Sequence, residues 1–135
     1  MLSALSQGTL QAQYENQGIK FSKAKKLKKL LKKAKKKDQM VFVDFTADWC
    51  VPCQIMEEST FLDFHLGKLY NANFISYKLD IDSKEGQKFK KKYGITFLPS
   101  FMYFDQNGEP QMKEHGSKTV EELMAMANKF MKENK

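Results

Sequence analysis

A run of six residues, 40–45, constrains the fold of this chain more than any other segment. Five of the six are apolar, and the run is rich in the β-branched and aromatic side chains that favour strands. A strand that is apolar on both of its faces is typical of the centre of a sheet covered on both sides. The exception is Asp44, because a buried carboxylate costs several kcal/mol unless it is paired or protonated. The run therefore predicts a layered α/β domain with one unusual acid in a central strand.

Strands and helices are predicted to alternate along the rest of the chain. Apolar spacing, caps and turn signals predict a short edge strand at 18–21, strands at 74–80, 100–104 and 111–115, and helices at 22–37, from the Cys50–Cys53 segment to about Ser59, from Asp63, at 83–93 and from Thr119. The Asn107-Gly108 dipeptide is a strong hairpin signal between the last two strands. This order predicts an α/β fold with a mixed central sheet flanked by helices on both faces.

The length of 135 residues, with 41% apolar side chains, is sufficient for one domain with its own core. We place this domain at 19–135 and interpret 1–18 as an N-terminal extension or the remnant of a signal peptide, since no intact export signal is visible. No apolar run approaches the roughly 18–20 residues of a membrane span. We therefore expect no transmembrane segment, and we expect a monomer.

All 23 basic residues are lysines, and they are unevenly distributed. Eleven of them fall within 20–37, a stretch without any acid, and this segment accounts for the whole net charge of +7. Such a segment could bind phosphates or anionic lipid. However, nucleic-acid sites usually use Arg, which the chain lacks, and the thin apolar stripe of this helix is needed to cover the sheet. We expect no nucleic-acid partner, although a weak role in steering acidic partners stays open.

The two cysteines, Cys50 and Cys53, lie where the central strand ends and a helix is predicted to begin. Free backbone N–H groups at a helix N-terminus favour a thiolate and lower the pKa of the thiol that they face. Cys53, one turn after Cys50, is close enough to form a disulfide with it, and Pro52 suits the first turn because it lacks an N–H. The pattern predicts a redox pair in which Cys50 attacks a substrate disulfide and Cys53 resolves the mixed disulfide.

Two other uses of the cysteine pair stay open at this point. A zinc site usually needs four ligands in two close pairs, but only His65 and His115 remain, and they are 50 residues apart. A purely structural or inert pair would close a very small loop and contribute little stability. We expect no metal and no cofactor other than the cysteine pair itself.

Two acids are candidates for proton transfer or tuning beside the cysteines. Burial should raise the pKa of Asp44. If its carboxylate lies within reach of Cys53, it could accept the proton of that thiol. The alternative is that Asp44 lies at an edge and faces water. Glu57 follows Cys53 by four residues and so shares its helical face, where a second carboxylate would tune the thiols. The alternative for Glu57 is an ordinary exposed position.

Three parts of the chain together resemble the thioredoxin superfamily. They are residues 43–53, residues 93–100 and Gly116, and the similarity covers about residues 19–132. The specific combination is W-C-x-x-C, an Asp six residues before the first Cys and a Pro about 45 residues after the second. A narrower similarity, through F-T-A-D-W-C-V-x-C and the residues up to Asp63, is to the C-terminal domain of the membrane disulfide reductases of the bacterial envelope (DsbD type) and to small stand-alone envelope proteins.

The resemblance implies a thioredoxin-like fold and a role for each matching residue. Cys50 would be the nucleophile, Cys53 the resolving thiol, Asp44 the buried carboxylate and Glu57 a second acid near the site. The substrate-binding surface would comprise Trp49, Val51, Pro52, Leu98 and Pro99. The Leu98–Pro99 peptide bond would be cis and face the cysteines, which would leave the backbone of Leu98 free to pair with an extended substrate segment.

The chain departs from thioredoxin at two positions of this surface. Val51 stands where thioredoxin has Gly, so the reduction potential cannot be transferred from thioredoxin. Phe97, two residues before Pro99, also replaces a Gly, and its ring could narrow or line the docking groove and change the choice of partner.

The similarity implies a thiol–disulfide oxidoreductase, and we expect it to run as a reductase of protein disulfides. A disulfide oxidase or isomerase is the alternative within the same chemistry, and a redox-inactive peptide-binding module is the alternative outside it. Because no membrane domain is visible, we expect a separate protein to donate electrons. The envelope-type motif favours a periplasmic or other extracytoplasmic location, with the cytoplasm as the alternative.

Overall fold

The computed structural model describes residues 18–134. The predicted N-terminal extension, 1–18, lies outside the described residues except for Gly18. The strands are β1 (Met40–Thr46), β2 (Phe74–Asp80), β3 (Ser100–Phe104) and β4 (Pro110–His115). The α-helices are α1 (Leu27–Lys36), α2 (Val51–Glu58), α3 (Phe64–Asn73), α4 (Lys84–Tyr93) and α5 (Val120–Glu133), with a 3₁₀ turn at Thr60–Leu62.

The sheet has the strand order β2-β1-β3-β4. Strand β1 pairs in parallel with β2 and antiparallel with β3, and β4 pairs antiparallel with β3. The register places Asp44 of β1 between Lys78 of β2 and Phe101 of β3. The expected mixed sheet and α/β class are therefore confirmed, with the predicted central run in an interior strand.

Helices cover both faces of this sheet. Successive side chains of β1 point to opposite sides, so they are buried alternately on the two faces. On one face, Val43 and its neighbours pack against α1 and are joined by partly buried rings of α4, such as Phe89. On the other face, Phe42 packs among side chains of α2, α3 and α5, including Tyr70 and Phe130. Helices α1 and α4 thus lie on one side of the sheet, and α2, α3 and α5 lie on the other.

The helix predicted at 22–37 begins at Leu27, so the expected start is wrong by about one turn. Its N-cap residue, Lys26, provides no side-chain hydrogen bond. Instead, the N–H groups of Leu27 and Lys28 donate to the carboxylate of Glu85, at 2.7 and 3.1 Å. Because this cap comes from α4, 58 residues further along the chain, the local sequence does not show where the helix starts.

The edge strand predicted at 18–21 is reduced to a single parallel bridge between Phe21 and Ser76 of β2. The segment is held by other backbone bonds: the N–H of Ile19 donates to the carbonyl of Phe61, and the N–H of Ser22 donates to the carbonyl of Ser76. It therefore follows the edge of the sheet without forming a continuous ladder.

Local caps begin or end the later helices. Ser83 accepts the N–H of Gly86 at the start of α4, and Gly94 ends that helix with a φ of 64°, a left-handed conformation that favours glycine. Thr119 and Glu122 form the reciprocal bonds of a capping box at the start of α5.

Across residues 18–134, none of the helices has the length and apolar character required to cross a bilayer.

Candidate active site

The two cysteines meet at the N-terminus of α2. They are joined in a disulfide, with a Cα–Cα distance of 5.3 Å. Cys50 is the N-cap residue, and its Sγ accepts the backbone N–H of Cys53 at 3.3 Å. This N–H is one of the donors that a helix leaves without an intrahelical partner, so it can stabilise negative charge on the Cys50 sulfur after reduction.

The disulfide is almost enclosed, but its surroundings are exposed and apolar. Cys50 and Cys53 are only 4% and 2% exposed. Trp49, Val51 and Phe97, in contrast, are each at least 60% exposed. Large apolar side chains with this exposure are typical of an interaction surface, because their removal from water by a partner lowers the free energy of the complex.

A cleft of about 570 Å³ opens beside the disulfide. Its walls come from the segment 49–52, from the loop after β2, from α4 and from the segment before Pro99. Of the five predicted substrate-binding residues, Trp49, Val51, Pro52 and Leu98 line this cleft together with Cys50.

The fifth predicted substrate-binding residue, Pro99, is buried and is not part of the lining of the cleft. The Leu98–Pro99 peptide bond is cis. The carbonyl of Pro99 accepts the N–H of Gly116 at 2.8 Å, which ties the segment to the end of β4.

The sequence reasoning missed Asp82, which positions the tryptophan at the rim of the cleft. The indole Nε1 of Trp49 donates to the Asp82 carboxylate at 2.8 Å. Asp82 follows β2, whose carboxyl end lies beside that of β1 because the two strands are parallel. A search for polar residues just after the predicted strands would have found it, because the carboxyl ends of parallel strands meet at one edge of a sheet.

Asp44 is the most perturbed acid of the site. Its side chain is 1% exposed, and its Oδ1 has no hydrogen-bond partner among the described residues. Burial raises the pKa of Asp44 to about 7; the positive charge of Lys78 opposes this rise and the negative charge of Glu57 adds to it. An acid with a pKa of about 7 can take up and release a proton at neutral pH.

Glu57 and Lys78 form an ion pair, at 3.5 Å, in which both side chains are about one-third exposed. Glu57 is therefore neither buried nor an isolated surface residue, and its charge acts on Asp44. The sequence reasoning missed Lys78, although it is the one basic residue inside the predicted strand 74–80 and was a visible signal.

The remaining metal candidates, His115 and His65, each pack against a phenylalanine ring. His115 stacks on Phe97 with 5.1 Å between the ring centroids, and His65 packs against Phe64 at the start of α3. In the part of the chain that the structure describes, no group of three or more His, Cys, Asp or Glu side chains is arranged to hold a metal ion.

Comparison with known proteins gives consistent matches in sequence. A family model described as a thioredoxin-like domain matches residues 27–131. The thiol:disulfide interchange protein DsbD of Colwellia psychrerythraea is 34% identical over 86 residues, which are 62% of this chain and 14% of that protein. Thioredoxin H4 of Arabidopsis thaliana is 36% identical over 73 residues, 54% of this chain and 57% of that protein. The chain thus matches less than two-thirds of the length of either relative.

Solved structures match a larger share of the chain. The crystal structure of a thioredoxin from Schistosoma mansoni has a TM-score of 0.62 and 30% identity, with 77% of this chain and 86% of that chain covered. The solution structure of a thioredoxin from Thermus thermophilus has a TM-score of 0.73 over 84% of this chain and 88% of that chain. Its identity of 22% supports the shared fold only.

Proposed function

This chain belongs to the thioredoxin-like family of thiol–disulfide oxidoreductases, which work with a redox-active cysteine pair and need no cofactor, and on this premise we propose that it runs as a disulfide reductase. The observation that carries the proposal is the Cys50–Cys53 pair at the N-terminus of α2, next to an apolar cleft. The direction of the reaction rests on the buried Asp44 and on the similarity to DsbD.

In the proposed reaction, the reduced protein begins as a dithiol. The Cys50 thiolate attacks one sulfur of a substrate disulfide, and the other substrate sulfur leaves as a thiolate and takes a proton. Cys53 then loses its proton and attacks the Cys50 sulfur, which releases the second substrate thiol. The substrate gains two electrons and two protons, and the protein ends with the Cys50–Cys53 disulfide. A separate protein dithiol must return the two electrons and two protons.

Asp44 is proposed to accept the proton of Cys53 during the second step. Its pKa of about 7 supports this role, because the ionised and protonated forms are then both populated at neutral pH. Glu57 and Lys78 would set the balance between the two forms, since Glu57 raises the pKa of Asp44 and Lys78 lowers it.

The proposed substrate is an extended segment of a protein that contains a disulfide. It would lie in the cleft between Trp49 and Phe97 and pair with the backbone of Leu98 by strand addition. The hydrogen bond from Trp49 to Asp82 supports this role, because it holds the large indole in place before the substrate arrives. The periplasmic location remains a prediction that rests on the envelope-type motif.

Two measurements test the proposal. The first uses Cys53→Ala, which cannot resolve a mixed disulfide, so partners should be trapped on Cys50. The double variant Cys50→Ala/Cys53→Ala is the control and should trap nothing. Intact peptide binding without any trapped species would instead indicate a redox-inactive module.

The second measurement is the reduction potential of the cysteine pair, by equilibration in thiol buffers with Trp49 fluorescence as the signal. Members of this fold range from about −270 mV for reductases to about −120 mV for oxidants. A value near the lower end supports the reductase direction. A value near the upper end would show that the protein forms disulfides, and the proposed direction would be wrong.

A further inference from the structure

A groove of about 660 Å³ lies between α1 and α4, separate from the cleft at the cysteines. Its apolar lining includes Leu31, Phe89 and Tyr93, and the two aromatic rings stack with 5.7 Å between their centroids. Lysines from both helices surround this apolar lining: Lys28, Lys32 and Lys35 of α1, and Lys84, Lys88 and Lys92 of α4. We call this feature the lysine groove.

Positive charge is concentrated on the two helices that form the lysine groove and on the residues that flank the first of them. Residues 20–37 carry eleven positive charges, and residues 84–93 carry five lysines and one glutamate. The two segments together carry a net charge of +15, and the whole chain carries +7, so the rest of the chain has a net charge of −8. Both helices cover the same face of the sheet, and the charge of the protein is therefore strongly asymmetric.

The positive charge of the lysine groove is not neutralised within residues 18–134. None of the seven lysines that line the groove, which are Lys26 and the six named above, forms an ion pair in this part of the chain. The acid at the groove, Glu85, uses both carboxylate oxygens to accept the N–H groups of Leu27 and Lys28. The groove thus combines an apolar lining with a surplus of cations, which is the complement of an acidic segment that carries apolar side chains.

We propose that the lysine groove binds an acidic peptide segment of a protein partner. The carboxylates of the segment would pair with lysines of both helices, and an aliphatic or aromatic side chain would contact Leu31, Phe89 and Tyr93. Flexible lysines with single point charges suit such a segment, because they do not require one fixed geometry of the acid.

Other anionic ligands fit the lysine groove less well. A compact phosphate is usually held by free N–H groups at a helix N-terminus or by the fork of an arginine. Here the N-termini of α1 and α4 are already capped by Glu85 and Ser83, and the chain has no arginine. A flat bilayer would contact the outer lysines of α1, such as Lys29, and would leave the apolar lining of the groove unfilled.

Helix α4 forms a wall of both the lysine groove and the cleft at the cysteines, so the groove is close to the proposed active site. Gln87 and Lys90 of α4 line the cleft beside Cys50, and Lys88 and Lys92 of the same helix line the lysine groove. A helix is about 10–12 Å wide with its side chains. A protein whose disulfide enters the cleft could therefore extend an acidic segment into the groove, a link that rests on the proposed function. The second contact would raise the rate of association.

The test compares two triple variants of α1 in the full chain. Lys28→Gln/Lys32→Gln/Lys35→Gln removes three charges that line the groove, and Lys29→Gln/Lys33→Gln/Lys36→Gln removes three charges of the same helix that do not. Glutamine and lysine have similar helix propensities, so both variants should fold. The probe is a short labelled peptide rich in glutamate with one leucine and one phenylalanine, and its binding is measured by fluorescence anisotropy.

We expect the groove variant to bind this peptide about tenfold more weakly than the parent protein, and the control variant to lose less than about twofold. Binding should weaken at high salt, and a peptide with glutamine for glutamate should not bind. A peptide with alanine for leucine and phenylalanine should bind several-fold more weakly than the original. Equal losses in both triple variants, or equal binding of the glutamine peptide, would overturn the proposal.

Two further measurements separate the alternatives. Binding to vesicles of anionic phospholipid or to tripolyphosphate, without binding of the acidic peptide, would overturn the peptide assignment in favour of those ligands. Reduction of insulin by both triple variants should match that of the parent protein. If insulin reduction is absent in all three proteins while the peptide still binds the groove, the proposed reductase function fails and the groove assignment stands.

Discussion

Replacement of the buried acid by Asp44→Asn should stabilise the oxidised protein at neutral pH. Asparagine has nearly the same shape as aspartate but carries no charge, so it avoids the cost of an ionised group in the interior. The pKa of Asp44 rises from 3.8 to about 7 on folding, mainly because of burial. Each pH unit of such a difference corresponds to about 1.4 kcal/mol, and the expected gain above pH 7 is therefore about 4 kcal/mol.

The sign of the pH dependence follows from the same pKa values. Between pH 3.8 and about 7, Asp44 is protonated in the folded chain and ionised in the unfolded chain. Folding then requires a proton, so the free energy of unfolding falls as the pH rises through this window and levels off above it. The variant lacks this dependence. Its advantage should be small below pH 3.8, grow across the window and stay constant above pH 7.

The assay is urea unfolding of the oxidised protein, followed by circular dichroism, at several pH values across this window. Asp38→Asn is the matched control, because Asp38 is an exposed acid and asparagine tolerates its left-handed conformation (φ 57°). It should change the stability by well under 1 kcal/mol at every pH. Curves for the parent and Asp44→Asn that run parallel across the window would refute the reasoning, because Asp44 would then keep an ordinary pKa.

Three other predictions concern the fold. Glu85→Ala removes the distant cap of α1 and should cost about 1–2 kcal/mol in urea unfolding, whereas Glu85→Gln, which keeps one acceptor, should cost less. An unchanged stability of Glu85→Ala would show that the cap is unimportant. Gly86→Ala would place a Cβ 1.9 Å from a backbone oxygen of β2 and should cost about 3 kcal/mol or more, and an unchanged melting temperature would contradict the close approach. Tyr103→Phe removes the 2.6 Å hydrogen bond between the hydroxyl groups of Tyr70 and Tyr103 and should cost about 1 kcal/mol by the same unfolding assay, and no loss would argue against that bond.

Local sequence patterns predicted the elements whose signals are contained in a few neighbouring residues. The strands at 74–80 and 100–104 match the structure to the residue, because each is a short run of strand-forming side chains with clear ends. The helix starts at Ser83 and Thr119 were also predicted correctly, since at each of them a side chain accepts an N–H three residues away.

The wrong predictions all depend on contacts between distant residues. The start of α1 was misplaced because its cap, Glu85, belongs to another helix. The edge strand at 18–21 was overestimated because the segment is held partly by the carbonyl of Phe61 rather than by a neighbouring strand. Asp82 was missed for the same reason, since its partner Trp49 is 33 residues earlier in the chain.

At the candidate site, the sequence alone determined the redox chemistry, because two cysteines at a strand-to-helix junction form a local pattern whose geometry follows from the helix. The tertiary structure decided the properties that depend on surroundings. The pKa of Asp44 reflects its burial and the charges of Lys78 and Glu57, which come from β2 and α2. The lysine groove likewise exists only because α1 and α4 pack on the same face of the sheet. Spacing along the chain determines which residues neighbour each other within a helix or a strand, whereas desolvation and Coulomb interactions depend on distances in space that only the packed structure sets.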